Sequence, residues 1–153
     1  MSKVDGLLTD YAAFHRTKGN VACHFVGIPL IVFGILQLLL HVPLFSVGLF
    51  WVTGAEALIA IATLYYLTLD VRLALGMLFA TLALDFLGRL NWNPWIGVAA
   101  FVIGWVFQGI GHAVYEKKSP AFLRNLVHLM VGPIFLVNEA LHFRKVEAAP
   151  ANG

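Results

Sequence analysis

The chain has 153 residues, 60% of them hydrophobic and only 12% charged, with a formal net charge of +2. A soluble domain carries about a quarter charged residues, so this composition describes a small polytopic membrane protein with no separate soluble module. The slight positive balance, with no basic run longer than Lys117-Lys118, excludes nucleic acid and leaves the lipid bilayer as the partner. One cysteine, Cys23, rules out an internal disulfide and reads as a packing residue.

Residues 4–17 place Val4, Leu7, Leu8, Tyr11 and Phe14 close to helical spacing. This predicts a short amphipathic helix in the membrane interface, ending near Gly19. The segment is too polar for a signal-peptide core, so cleavage is not expected. Asn20 is placed to cap the first span, residues 21–40, and Pro29 within it removes a backbone donor and should kink it. A second span falls within residues 44–69, with Glu56 in its middle portion. That stretch exceeds the ~20 residues a crossing needs, so its first part lies flat or forms a short helix of its own. Asp70 and Arg72 turn the chain into a third span, residues 73–88. Asn91, Asn93 and Pro94 make a turn flanked by the interface anchors Trp92 and Trp95, and a fourth span covers 96–115. After a break at Lys117, Lys118, Ser119 and Pro120, a fifth apolar segment runs over 121–142. Residues 1–146 are expected to form one membrane-embedded domain, followed by a disordered tail, 147–153. The fold class is therefore all-α: a helical membrane bundle of four to five spans with an interfacial helix at its N-terminus.

Positive charge sets the expected orientation. With the N-terminus cytoplasmic and five crossings, Lys3, Arg16, Lys18, Arg72, Lys117, Lys118 and Arg124 gather on the cytoplasmic side, against Arg89, Arg144 and Lys145 opposite. His24 then lies one turn inside the first span, and His112 about one turn before the cytoplasmic end of the fourth. His15 belongs to the interfacial helix of the same face. His41 follows His24 by seventeen residues, ~25 Å along a helix, and so lies at the opposite face.

Gln108, His112 and Glu116 share one helix face at spacing i, i+4, i+8, and Asn20 and His24 are likewise i, i+4. His15 and His24 are nine apart and would point to opposite sides of a straight helix. They converge only if the chain bends between them, and Gly19 is the expected hinge. Gly104, Gly109 and Gly111 let another helix approach the fourth span closely. Neutral imidazole is a common ligand for iron or zinc, and two histidines plus a carboxylate with open positions is the pattern of non-haem iron oxygenases. Taken singly, each histidine would only bond a neighbouring helix or sit at headgroup depth. Three on one face, at a depth where polar groups are costly, point to a metal site. The expected ligands are His15, His24 and His112, with His128, early in the fifth segment, as a fourth. Asn20, Gln108 and Glu116 are the candidate catalytic or supporting groups around them.

Glu139 and His142 reach that cluster only if the fifth segment folds back, while Glu56 and Asp85 are membrane-depth carboxylates without an evident partner. No HxxHH or paired HxxxH set, glycine-rich phosphate loop, GxSxG elbow or HExxH motif occurs. Besides an oxygenase, the residues leave open a b-type haem protein with two of the histidines axial, and a non-catalytic scaffold or transporter with structural histidines.

The segments FHRTKGNVACHFVGIPL (Phe14 to Leu30) and GWVFQGIGHAVYEKKSPAF (Gly104 to Phe122) resemble the two signatures of the 2-hydroxy fatty acid dioxygenase family. GPIFLVNEAL (Gly132 to Leu141) extends the resemblance over nearly the whole chain. The spacings H-x4-N-x3-H and Q-x3-H-x3-E-K-x2-P-A together are fairly specific. The resemblance implies that His15, His24 and His112 match the histidines associated with ferrous iron. Asn20, Gln108, Glu116, Pro120 and Glu139 match further motif positions, and His128 matches no histidine of the eukaryotic form. It implies Fe(2+)- and O2-dependent α-oxidation of a 2-hydroxy fatty acid to the acid one carbon shorter. The compactness of the chain points to a bacterial inner membrane, the eukaryotic family member to the endoplasmic reticulum membrane, and the charge bias puts the metal on the cytoplasmic side. The acyl tail would stay among the spans while the carboxylate and 2-hydroxyl reach the metal. Arg16, Lys117 or Lys118 would hold the carboxylate or, more simply, anchor the headgroup region.

Overall fold

A computed structural model describes residues 2–117 and 127–146. Its elements are α1 (Lys3–Ala13), α2 (Lys18–Leu39), strands β1 (Pro43–Val47) and β2 (Phe50–Thr53), α3 (Gly54–Leu67), α4 (Val71–Arg89), α5 (Pro94–Ile110) and α6 (Val127–Leu141). A π-helical turn, Gly111–Glu116, continues α5. Among the described residues, three stretches are long and apolar enough to cross a membrane, Lys18–Leu39, Val71–Arg89 and Pro94–Glu116, while Gly54–Leu67 and Val127–Leu141 are shorter apolar helices. The expected helical bundle is present. Lys118, Pro120 and Arg124, the start of the fifth apolar segment, and the tail 147–153 lie outside the described residues.

Most helix starts follow from local chemistry. The Ser2 hydroxyl accepts from the Asp5 amide and the Asp5 carboxylate accepts from the Ser2 amide, a reciprocal cap for α1. Asp70 caps α4 through the Leu73 amide, and Asn93 caps α5, with Pro94 in the first turn where a missing amide costs nothing. At α2 the cap is Thr17, not Asn20 as expected, and Asn20 is the residue whose amide Thr17 receives. The first helix also ends earlier than expected, at Ala13, so the bend lies at Phe14–Thr17 rather than at Gly19. Gly19 sits inside α2 for a different reason: a Cβ there would fall 2.2 Å from the Tyr115 ring. The helix continues through Pro29.

Between α2 and α3 the chain forms an antiparallel hairpin, where the sequence pointed to a flat segment or short helix. Gly48 turns it at φ +62, a conformation glycine adopts without steric cost. Its tip is exposed and apolar, with Leu49 at 97% and Phe50 at 81% exposure. Glu56 is consequently not at mid-span but in the first turn of α3, where it accepts from the Thr53 amide and hydroxyl. Its partner, and that of Asp85, is Arg89.

α2 is the central helix. It packs most extensively on α5 and also touches α3, α4 and α6. The α2–α5 contact is glycine against backbone: a Cβ on Gly104 would sit 2.7 Å from the Gly27 carbonyl, and one on Gly34 would sit 2.6 Å from that of Gly97. Gly111 instead lies against the Asn20 side chain, whereas Gly109 faces open space and plays no part. The amphipathic α1 lays Val4, Leu8 and Tyr11 into a core with Tyr66, Leu73, Met77, Ile134 and Phe135. A second core gathers Leu36, Leu40, Ala55 and Ile59 on the side of the hairpin. Arg144 ties the C-terminal end down, bonding Asp5 and Asp70 at 2.5 Å each.

Candidate metal centre

His15, His24 and His112 come from three places: the α1–α2 bend, the second turn of α2, and the π-turn that ends α5. All three are buried, and one ring nitrogen from each lies within 4.8 Å of the others. The rings meet edge to face, with centroids 4.4 Å apart for His15 and His24 and 5.0 Å for each of the pairs with His112. Rings packed this closely leave no plane for a porphyrin between two axial ligands. The π-turn matters locally, because widening the helix at Gly111 re-aims His112; such turns concentrate at functional sites.

Hydrogen bonds decide which nitrogens are free. His15 Nδ1 donates to the Tyr11 carbonyl at 2.7 Å, and His24 Nδ1 donates to the Asn20 carbonyl at 2.8 Å. A carbonyl only accepts, so each Nδ1 carries the proton and each Nε2 keeps a bare lone pair. These two Nε2 atoms lie 3.0 Å apart. Two lone pairs at that distance repel unless a cation lies between them. Nitrogens bound at ~2.1 Å to one metal and about 90° apart would be separated by about 3 Å, which this pair matches. His112 Nδ1 is buried without a partner. Burial, and then the neighbouring His24, push the His15 imidazole down to about 3, so it stays neutral and able to coordinate. The donor set therefore fits a transition metal held by imidazole.

Asn20, Gln108 and Glu116 take distinct positions around the trio. Glu116 reaches back across the bend. Its carboxylate accepts from the Arg16 and Thr17 amides at 3.2 and 3.1 Å, the Thr17 hydroxyl at 3.0 Å and the Asn20 amide nitrogen at 3.2 Å. It thus sits at the N-terminus of α2, where the helix dipole favours negative charge, and clamps the end of α5 to the start of α2. Asn20 links this clamp to His24 through its own carbonyl. Its Oδ1 is buried and unpartnered, as is Gln108 Nε2 one turn below His112.

His128 stands outside the trio. Its Nε2 donates to Asp10 at 2.8 Å and its ring lies against Tyr11 and Phe14, while its Nδ1 is buried without a partner. Glu139 and His142 are not part of the cluster either. His41 lies at the far end of α2, bonded to the carbonyls of Gln37 and Trp92. Two contributors escaped the sequence reading. Tyr11 stacks on His15 at 4.0 Å and fixes its tautomer, and the i, i+4 spacing of the two residues was the available signal. Asp10 carried no signal, because its partner lies 118 residues away.

The trio forms one end of a cavity of about 400 Å³, within the ~300–1,000 Å³ usual for small-molecule sites. Below the histidines its walls are hydrocarbon and ring, from Ile28, Val32, Met77, Phe101 and Leu129 among others. Arg16 and Lys117 do not line it. The site therefore joins an imidazole cluster to an apolar channel, an arrangement suited to a long-chain molecule with a polar head.

The profile of the Mpo1-like family, described as 2-hydroxy-palmitic acid dioxygenase Mpo1-like, matches residues 1–144. The chain belongs to this family. It is 33% identical over 136 residues to the 2-hydroxy-palmitic acid dioxygenase MPO1 of Saccharomyces cerevisiae (strain ATCC 204508 / S288c), covering 86% of this chain and 75% of that protein. No solved structure matches the chain. All three clustered histidines fall within the matched residues.

Proposed function

We propose that this protein is an Fe(II)-dependent dioxygenase that α-oxidises a 2-hydroxy fatty acid to the acid one carbon shorter. The observation that carries the reading is the convergence of three buried imidazoles, two with free Nε2 atoms 3.0 Å apart, at the head of an apolar cavity. Membership of the Mpo1-like family and the activity for which the yeast relative is named support the substrate class.

His15, His24 and His112 hold the iron, and Tyr11 and Asn20 fix the tautomers of the first two through their carbonyls. Glu116 keeps the bend and the end of α5 in register, so that His112 meets the other two. Ferrous iron, when bound, supplies the redox chemistry that lets O2 react with the acid. Gln108, with its buried amide nitrogen unpartnered, is placed to donate to an oxygen of the substrate head. The apolar walls hold the acyl chain and exclude water from the reacting end. In the balanced reaction one O2 is consumed and the bond between the carboxyl carbon and C2 breaks. The carboxyl carbon leaves as CO2, C2 becomes the new carboxyl group, and one water forms. The excess of cations on the cytoplasmic side in the sequence-based topology supports a multi-pass protein with the site at the cytoplasmic face of a bacterial inner membrane, or of the endoplasmic reticulum.

Purified protein supplied with Fe(II), O2 and 2-hydroxypalmitate should release the odd-chain acid, and His112→Ala should not. Iron-loaded wild-type protein that yields no such product overturns the proposal.

A further inference from the structure

The cavity has a floor. From the histidines it follows α2 inward past Ile28 and Val32 to Leu36. His24 and Leu36 are twelve residues apart, ~18 Å along a helix. The antiparallel α5 gives a similar depth independently, from His112 to Phe101, eleven residues or ~16 Å. At that depth Leu36 and Ile59, exposed by only 1% and 5%, belong at once to the cavity wall and to the second core. The residues behind them in that core, Leu40, Ala55, Leu78 and Leu84, do not line the cavity. The space ends where close packing begins.

The one hydroxyl of an aliphatic side chain in the wall, Thr81, is turned onto the carbonyls of Met77 and Leu78. Gln108 Nε2, one turn below His112, and His128 Nδ1 are buried without partners, and the rest of the wall towards Leu36 and Ile59 is mostly hydrocarbon and ring. A straight chain held by its head at the histidines must extend towards these two residues. Added methylenes fill apolar space until the chain end meets Leu36 and Ile59. A longer chain must displace packed core, which resists, or turn out past Leu58, Leu129 and Met130, which line the cavity and are themselves exposed.

We propose that Leu36 and Ile59 are specificity-determining residues that set the length of acyl chain the protein accepts. The inference rests on the reading that the acid's head lies at the histidines. Each methylene gained inside the cavity is worth roughly fourfold in affinity, from the transfer free energy of one CH2. Affinity along a homologous series should therefore climb to an optimum and then fall.

The test is competitive binding of straight-chain 2-hydroxy acids to the full-length, metal-free protein in detergent, read by native mass spectrometry. Ile59→Ala and Leu36→Ala should each move the optimum to longer chains, and Ile59→Phe to shorter ones. Leu64→Ala, on the exposed side of α3, should leave it in place. Should Ile59→Phe fail to fold, the two alanine variants decide alone. An optimum that stays put in both folded alanine variants, or a wild-type affinity that rises without limit along the series, overturns the proposal. If the optimum moves as expected but iron-loaded protein forms no odd-chain acid, the length filter stands and the dioxygenase reading falls.

Discussion

His15 and His24 face each other through bare Nε2 atoms 3.0 Å apart, each ring held there by a backbone carbonyl on its other nitrogen. The fold thus holds two lone pairs in mutual repulsion, and a cation that binds both relieves it. A ligand that binds only the folded state stabilises it by mass action, about 2.7 kcal/mol at a hundredfold excess over Kd. Loading with Fe(II) should raise the Tm of the wild-type protein, and a chelator should reverse the rise. His24→Ala should abolish the response. A wild-type Tm indifferent to metal would count against the site.

Glu116 gathers four donors from the bend and α2 without lying among the clustered imidazoles. Hydrogen bonds to a charged group contribute about 1.5–3 kcal/mol each, so neutralising it loosens the bend. Glu116→Gln should fold yet bind metal about 10–100-fold more weakly, the usual effect of losing an outer partner. A competition titration against a metal-sensitive dye measures this. Unaltered affinity would show that the clamp does not place His112.

The α2–α5 seam carries His24 on one helix and precedes His112 on the other. Gly104→Ala puts a methyl 2.7 Å from both the Gly27 carbonyl and Ile31. Overpacking of that kind costs about 1–3 kcal/mol, and the separation it forces should also weaken metal binding. Gly109→Ala meets nothing within 4 Å and should be neutral or stabilising by up to about 1 kcal/mol, the helix preference of alanine over glycine. Thermal unfolding of the two variants side by side provides the comparison.

The Ser2 hydroxyl, and then the Arg144 guanidinium, hold the Asp5 carboxyl down to about 2 from its ordinary 3.8. Asp70 is lowered as well: burial works against the shift, but the Leu73 amide and Arg144 outweigh it. A carboxyl depressed in the fold adds stability above its unfolded value and loses it as pH falls through the folded one. The contribution of Asp5 should therefore be complete above about pH 4 and vanish towards pH 2. Asp5→Asn should flatten this part of the acid limb in a pH series of unfolding midpoints. An identical limb in the variant would reject the assignment.

His128 is bonded to Asp10 and absent from the imidazole trio. His128→Asn should keep the full metal content, measured by elemental analysis, while His15→Asn and His24→Asn lose theirs. Loss of metal from the His128 variant would restore it as a ligand.

Much of the architecture was legible because helical rise and polarity act locally. Span limits near Asn20, Asp70 and Pro94 follow from capping chemistry, and a rise of 1.5 Å per residue separates His41 from His24 whatever the tertiary packing. The need for a bend between His15 and His24 was equally legible from their nine-residue spacing. Its position was not. Gly19 has the freedom to bend, but the Thr17 hydroxyl starts the helix before it and the Tyr115 ring fills the space beside it.

What only the tertiary structure decided are the pairings that spacing cannot encode. Residues 43–53 continue the apolar stretch that precedes α3, yet Gly48 and antiparallel pairing make them a hairpin. His128 lines the same cavity as the trio, and α1 brings Asp10 to its Nε2 from 118 residues away. Glu116 has the chemistry of a ligand, but the amides that open α2 surround it. Sequence by itself determined which side chains reach the same level along the bundle, since level follows from distance along a helix. The choice of partner at that level depends on how helices rotate and close against one another, and here glycine contacts between α2 and α5 made that choice.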